Sequence, residues 1–543
     1  MINWLDWTVI VVYLVLIVGM AIKMTRTQTD LEDYYLAGKK IKWWQSGVST
    51  MATQLSAVSF ISAPAFVALK QGGGLKWLCY EFGVPLALIL VMTLIIPTFH
   101  RRNYISIYEY LEERFDTHTR SLISLLFQLG RGLATAVAVL AGGLILSTAL
   151  AISTTTAIIL IGAVTVLYDA LGGIRVVILS DFMQMTIIAI GIVICGGVAL
   201  SITGWQSALA ALDPARFHIL DFKHLGASAD GAYAFWPMLI GGFFLYASYY
   251  GCDQSQVQRE LTVGNIDDVK KSLLVNAFGR FPLVALYCFM GIFVGAVFAS
   301  ADSLQHVATQ VNMDASAIVD LLEKDPDRMV PLFIISYLPH GVIGFIFVAI
   351  MAALMSSLDS GLNALSAVTV RDFYQKYLKK NGTPRHYLVV SKLVTLCWGV
   401  FCLMVALVLA GSGEATRHTT IVLINAIGSL LYGPILATFL LGMLTKGITA
   451  RGVQFGIIAG ILFNLLLKTF TEISWLWWNA TGFLMTVLIA VLYSRIVQGQ
   501  RLWAASTEPA QPPSLMNWRR IYWLVVVYFF LIILITYLIE RLA

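Results

Sequence analysis

The sequence predicts an all-α protein that crosses a membrane many times, and three observations predict it. Of the 543 residues, 58% are hydrophobic and only 12% are charged, about half the charged fraction of an ordinary soluble domain. Mean hydropathy is +0.80. Apolar runs of about 20 residues, the length that spans a bilayer as a helix, recur from Leu5 to Leu542. The longest polar stretches, near Gln206 to Tyr233, Ser300 to Met329 and Val497 to Asn517, are loop-sized. That excludes an appended kinase, nucleotidase or DNA-binding module.

Taken in order, the runs give about fourteen spans. The first, 5–24, reads as a retained helix: Asp6 stands near its start, where a signal peptide carries a basic region, and no small-residue cleavage site follows. The second, 43–69, is unusually polar, running Gly47-Val48-Ser49-Thr50-Met51-Ala52-Thr53-Gln54-Leu55-Ser56-Ala57-Val58-Ser59-Phe60 and then Pro64. Two readings stand for it. One is a helix broken near Gln54 to Ser59, whose freed carbonyls line a cavity and bind a cation; the other is a packing helix whose small residues permit close contact. Spans 75–99 and 119–149 carry Glu81 and Arg131, and 151–170 and 176–203 flank a short turn at Arg175. Spans 234–254, 270–299, 337–370, 386–411 and 418–444 follow, then 452–470, 474–496 and 518–540.

Spans 2 to 6 and 7 to 11 each open on a polar, glycine-containing helix, which reads as a pair of five-helix repeats; five being odd, the second enters the bilayer from the opposite side. The chain then divides into a first helix and loop (1–41), repeats at 42–204 and 234–445 around an extracytoplasmic loop (205–233), and three additional C-terminal helices (446–543). With Met1 outside, the odd-numbered loops, around Lys39, Arg101, Arg175, Lys270, Lys379, Lys446 and Arg501, hold about 24 of the 36 Lys and Arg. The formal charge of +6 therefore marks a cytoplasmic face rather than an acidic partner, and both termini are expected to be extracytoplasmic in a cell (inner) membrane. The six cysteines all fall in or beside apolar runs and read as packing residues, not as a disulfide framework.

The chemistry-bearing residues lie inside these spans. In the ninth, Ala353, Ser356, Ser357 and Ser360 fall at i, i+3, i+4 and i+7, so one face carries three hydroxyls, and Ser356, Asp359 and Ser360 form a second i, i+3, i+4 set. Hydroxyl and carbonyl oxygens suit a hard monovalent cation. The competing reading has the serines back-bonding to their own helix and Asp359 at a wet end near Arg371. The acid within the span favours function. Asp181 and Gln184 share a face of the sixth span and either join the second set or cap a helix. Arg131 needs a carboxylate. Glu81 supplies it in one reading; in the other, Arg131 recognises the carboxylate of a solute. Arg280 reads as near enough to a span end to snorkel.

In combination, Glu32-Asp33-Tyr34-Tyr35-Leu36-Ala37-Gly38, Tyr168-Asp169-Ala170-Leu171-Gly172-Gly173, Ser180-Asp181-Phe182-Met183-Gln184, Gln254-Ser255-Gln256-Val257-Gln258-Arg259 and Ser356-Ser357-Leu358-Asp359-Ser360 resemble the sodium:solute symporters, from about Glu32 to Lys446. The resemblance implies a leucine-transporter-like fold of two inverted five-helix repeats working by alternating access. It implies a general sodium site at the carbonyls of Ala52, Leu55 and Ala353 and the hydroxyls of Ser356 and Ser357. It implies a second sodium site at Asp181, Ser356, Asp359 and Ser360, with Asp359 where the sialic acid branch has serine. For the solute, Gln54, Ser56, Ser59 and Arg131 resemble the sialic acid branch, whereas Tyr80-Glu81-Phe82 resembles the sugar branch, whose glutamate binds a sugar hydroxyl. Against sugar, Ala134 stands where that branch has asparagine, and Ser255 stands at its inner-gate tyrosine.

The sequence thus points to a symporter carrying sodium with a small polar organic solute, preferably one bearing a carboxylate, with a neutral monosaccharide as the alternative. A transporter-like sensor or a channel is a remote alternative. Eight histidines do not cluster with carboxylates at ligand spacing, and no nucleophile constellation marks an enzyme. The expected partners are the solute, sodium ions and membrane lipids, with no nucleic acid, for a carrier working as a monomer.

Overall fold

The structure is a computed structural model that describes residues 3–25, 28–102, 104–150, 152–228, 231–411, 420–497, 499 and 516–542. Among these every regular element is helical. The helices that build the body and the site are α1 (Trp4–Thr25), α2 (Trp43–Gln54), α3 (Ala57–Ala68), α4 (Leu75–His100), α5 (Thr117–Leu150), α6 (Thr154–Thr203), α7 (Gly242–Cys252), the short α8 (Gln254–Glu260), α9 (Ile266–Ala299), α10 (Val342–Leu378), α11 (Pro384–Gly411), α12 (Thr420–Leu444), α13 (Ala450–Phe470), α14 (Trp477–Leu492) and α15 (Trp518–Leu542). Eleven of the described helices are long and apolar enough to cross a membrane, or twelve if the bent pair α2–α3 counts as one span. That is fewer than the fourteen the sequence led us to expect. The basic loop around Arg501 lies outside the described residues.

Two breaks explain much of the difference. The polar second run is two helices bent by 54°, because Leu55 leaves helical geometry at ψ 83° and Ser56 turns extended, its hydroxyl accepting from the Val58 N–H at 3.2 Å to cap α3. The 50 residues of α6 would make a helix of about 75 Å, more than twice the hydrocarbon thickness. At Gly173, inside it, the backbone turns to φ 60°, a conformation that favours glycine. A Cβ there would also stand 2.6 Å from the Tyr34 carbonyl oxygen.

The centre of the molecule is α10, which has 83% of its most apolar stretch enclosed by the rest of the chain, against 22% for α11 and α15. It packs on α6, and α9 packs on α2, α3 and α6. Close approach is built in at Gly291 of α9, where a Cβ would stand 2.7 Å from the Pro64 carbonyl oxygen of α3. The start of α10 is capped from another element: Asp6 of α1, fully buried, accepts the Gly341 and Gly344 N–H groups at 2.6 and 2.9 Å, satisfying donors that a helix start otherwise leaves unpaired. Helices α11 and α15 turn large apolar side chains such as Val408, Met404, Trp523 and Phe530 outward, as a lipid-facing belt requires. Of the six cysteines, Cys397 on α11 is exposed and the other five are buried.

Candidate functional site

The break between α2 and α3 opens on a cavity of about 130 Å³. Gln54, Ser56 and Ser59 form one wall, Ser357 of α10 and Arg131 and Thr135 of α5 stand across from it, and Tyr246, Tyr249, Arg280 and Tyr432 complete the lining. Both amide atoms of Gln54 are buried without a partner, so its donor and acceptor remain available to a ligand. Two further cavities lie along the same helix. One of about 30 Å³ touches Gly130, Arg131 and Ala134, and one of about 770 Å³ touches Ala141, Leu144 and Ile145. Arg131, Ala134, Thr135 and Ala138 of α5 line the central one. The i, i+3, i+4 spacing therefore threads the three spaces along one face of α5.

The partners of the charged residues differ from those expected. Arg131 does not pair with Glu81; its Nη2 donates to Asp253 Oδ1 and Oδ2 at 3.0 and 2.9 Å and to the Ser255 hydroxyl. Its guanidinium lies over the Tyr249 ring at 5.3 Å. Glu81 is 1% exposed and stands behind the wall, accepting from the Tyr246 hydroxyl at 2.9 Å and from Arg280 Nε at 2.9 Å. Nor does Arg280 snorkel. Because α9 begins at Ile266, Arg280 lies about 21 Å along it, is 7% exposed, faces the cavity, and keeps Nη1 without a partner.

The first expected sodium set is assembled around the same break. Ala52, Leu55, Ala353 and Ser356 are fully buried. The Ala52 carbonyl accepts the Leu55 N–H at 3.0 Å and the Ala353 carbonyl accepts the Ser357 hydroxyl at 3.2 Å. The Ala52 carbonyl retains a second lone pair, whereas the Ala353 carbonyl, inside α10, also accepts the Ser357 N–H of its own helix. The broken pair and α10 meet at the hydroxyls of Thr53 and Ser360, 3.3 Å apart. The oxygen-only donor set suits a hard monovalent ion. No group of three His, Cys, Asp or Glu side chains that could hold a metal occurs among the described residues.

The second set also converges, around an arginine the sequence did not single out. Asp181 lies within α6 and does not cap it, and Ser180 back-bonds to Val176 and Val177 at 2.9 Å. Asp181 accepts from the hydroxyls of Ser356 and Ser49, each at 2.5 Å, and from Arg259 Nη2 at 3.0 Å. Arg259 also donates to the Ser360 hydroxyl. Asp359 accepts from the Tyr168 hydroxyl and is fully buried, while Arg371 is paired instead with Glu109 at 2.9 Å. Gln184 turns its amide to the Tyr13 hydroxyl at 3.1 Å and leaves Oε1 unpartnered. Asp169, also fully buried, has Oδ2 without a partner. Of these three buried carboxylates only Asp181 is bonded to Arg259, and the other two are the kind of group that protonation or a bound cation relieves.

Comparison with known proteins follows this geometry. The model of the sodium:solute symporter family matches residues 34–460. The sodium/sialic acid symporter NanT of Aliivibrio fischeri is 28% identical over 90% of this chain and 92% of its own length. The human sodium/iodide cotransporter is 28% identical over 82% and 67%, and the sodium/glucose cotransporter of Vibrio parahaemolyticus 27% identical over 86% and 85%. A Na+-coupled sialic acid symporter, solved in a substrate-bound outward-open state, superposes with a TM-score of 0.78 at 25% identity, covering 93% of this chain and 99% of that one. The match covers most of the chain and agrees with an all-helical fold built around a broken helix: the protein belongs to the sodium:solute symporter family and is a sodium-coupled transporter, not an enzyme.

Proposed function

We propose that this protein imports a small organic anion bearing a carboxylate, such as sialic acid, together with sodium, by alternating access. The observation that carries the reading is that Arg131 lines the same cavity as Gln54, Ser56 and Ser59. Among the relatives, those named for sialic acid, iodide and monocarboxylates carry anions. The sugar reading loses its glutamate, because Glu81 is committed to Arg280 and Tyr246.

Sodium binds in this reading at Ala52, Leu55, Ala353, Ser356 and Ser357, and a second ion at Asp181, Ser356, Asp359 and Ser360. The second ion matters energetically. Each net positive charge moved inward gains about 2.3 kcal/mol per 100 mV, roughly a fiftyfold accumulation. One sodium with a monoanion gains nothing from the potential; two restore a net charge. Dividing α6 at Gly173 and counting the segment ending in α7 as a span raises the number of spans to fourteen. Repeats at 42–204 and 234–445 then bring α2–α3 and α7–α8 into equivalent positions, with both termini extracytoplasmic in the inner membrane.

The test is the thermal stability of the purified protein against sialic acid, lactate and glucose, each in sodium and in potassium. A ligand at 100 times its Kd raises stability by about 2.7 kcal/mol. A sodium-dependent shift with a carboxylate, lost in Arg131→Ala, is expected; a shift with glucose alone that survives Arg131→Ala refutes the carboxylate reading.

A further inference from the structure

The ion pair of Arg131 with Asp253 divides the central cavity from the small one. Arg131, Ala134 and Tyr432 line both spaces, whereas Asp253 and Cys252 line only the small one. Asp253 is the extended residue joining α7 to α8, at φ −95° and ψ 120°. The pair therefore ties α5 to the joint between two helices. Within that partition the ion pair is the polar contact, and a side-chain contact at a joint is removable without unfolding either helix.

The contact is also incomplete. One nitrogen, Nη2, serves both oxygens of Asp253 and the Ser255 hydroxyl, while Nε is buried without a partner. A guanidinium binds a carboxylate best as a fork, with two nitrogens each facing one oxygen. A carboxylate entering from the central cavity meets an arginine with a donor to spare. Asp253, once released, keeps the Ser255 N–H at 2.9 Å and the Ser255 hydroxyl at 2.6 Å, so it is not left as a bare buried charge.

We propose that Asp253 is an internal substitute for the solute's carboxylate: the solute displaces it from Arg131, and this exchange opens the partition toward Cys252. The inference rests on the carboxylate reading above and makes Asp253 a specificity-determining residue. A neutral solute that fits the cavity has no group with which to release Arg131, so it binds without opening the partition.

The experiment uses the full chain in sodium, with Asp253→Asn, which keeps the shape and removes the charge, and Ser255→Ala, which removes only a side bond. Two quantities are read: the rate at which N-ethylmaleimide alkylates Cys252, 1% exposed, followed on its own peptide by mass spectrometry, and the affinity for sialic acid and lactate. If Asp253 holds Arg131 in about nine-tenths of molecules, freeing it tightens carboxylate binding by about tenfold. Asp253→Asn is accordingly expected to alkylate faster without solute and to bind the carboxylate more tightly, while in the unsubstituted protein the carboxylate, but not glucose, accelerates alkylation. Alkylation unchanged in both variants, or carboxylate affinity weakened in both, makes the pair a fixed structural contact and overturns the proposal. If no carboxylate binds the unsubstituted protein, the functional reading fails separately, and unchanged alkylation in Asp253→Asn alone decides against the partition.

Discussion

Asp359 is a third fully buried carboxylate, beside Asp169 and Asp181, in a neighbourhood where Arg259 is the paired guanidinium. If it holds an ion, Asp359→Ala lowers the sodium Hill coefficient of uptake from about two toward one and removes the roughly fiftyfold gain that one charge draws from 100 mV. Flux measured against sodium at fixed potential checks this, and an unchanged coefficient argues for a purely structural acid. This residue was legible in the sequence because Ser356, Asp359 and Ser360 follow helical spacing, which places them together whatever the rest of the chain does. Its surroundings were not legible. Arg259 reaches Asp181 across 78 positions and Arg280 reaches Glu81 across 199, and no local pattern records which of several buried cations a carboxylate meets. The Arg131–Glu81 pairing failed for that reason: charge and depth were correct for both residues, but each had a nearer partner.

At the scale of elements, the short helix α8 brings Glu260 between the first half of the broken pair and α9. It is fully buried and accepts from the hydroxyls of Thr50, at 2.7 Å, and Ser272. Burial pushes its carboxyl up to about 7, against the opposing effects of those two hydroxyls and the Arg259 charge. The folded value lies above the unfolded one, so the stability this group contributes is fully present below about 4.5 and is lost as the pH rises through about 7. Glu260→Gln is expected to remove that dependence and raise the midpoint of thermal unfolding at pH of about 8 relative to the parent. Midpoints recorded across this window test it, and parallel curves for the two proteins contradict it. The polar density of the second run made a break near Gln54 to Ser59 one of two readings, and the structure puts it at Leu55 and Ser56. The division of α6 was legible only in part: Arg175 suggested a turn, but the structure carries the helix through it and turns at Gly173.

For the whole molecule, composition sufficed to predict an all-helical membrane protein, since apolar runs of spanning length have few other uses. The number of crossings was less legible, because short and bent segments such as α2, α3 and α7 combine length and polarity in ways hydropathy alone does not resolve. Enclosure within the chain then separates a centre from its surroundings: α10 is surrounded by protein, while α11 and α15 face outward. The line of cavities along α5 gives this body a direction, with about 770 Å³ at one end and about 30 Å³ at the other. For a solute that enters by the wide end, the narrow end is the tighter passage, where side chains must separate. Such a solute meets a funnel, which fills faster than it drains. Release rather than encounter is then the slow step, and because exchange and net uptake share that step, label exchange against saturating solute on the far side is expected to run no faster than net uptake. Exchange faster than net uptake would place the slow step in the return of the empty carrier instead. Where draining is slow, side chains of the narrow end that stand apart from the Arg131–Asp253 pair, such as Leu126 and Ile435, set speed rather than affinity.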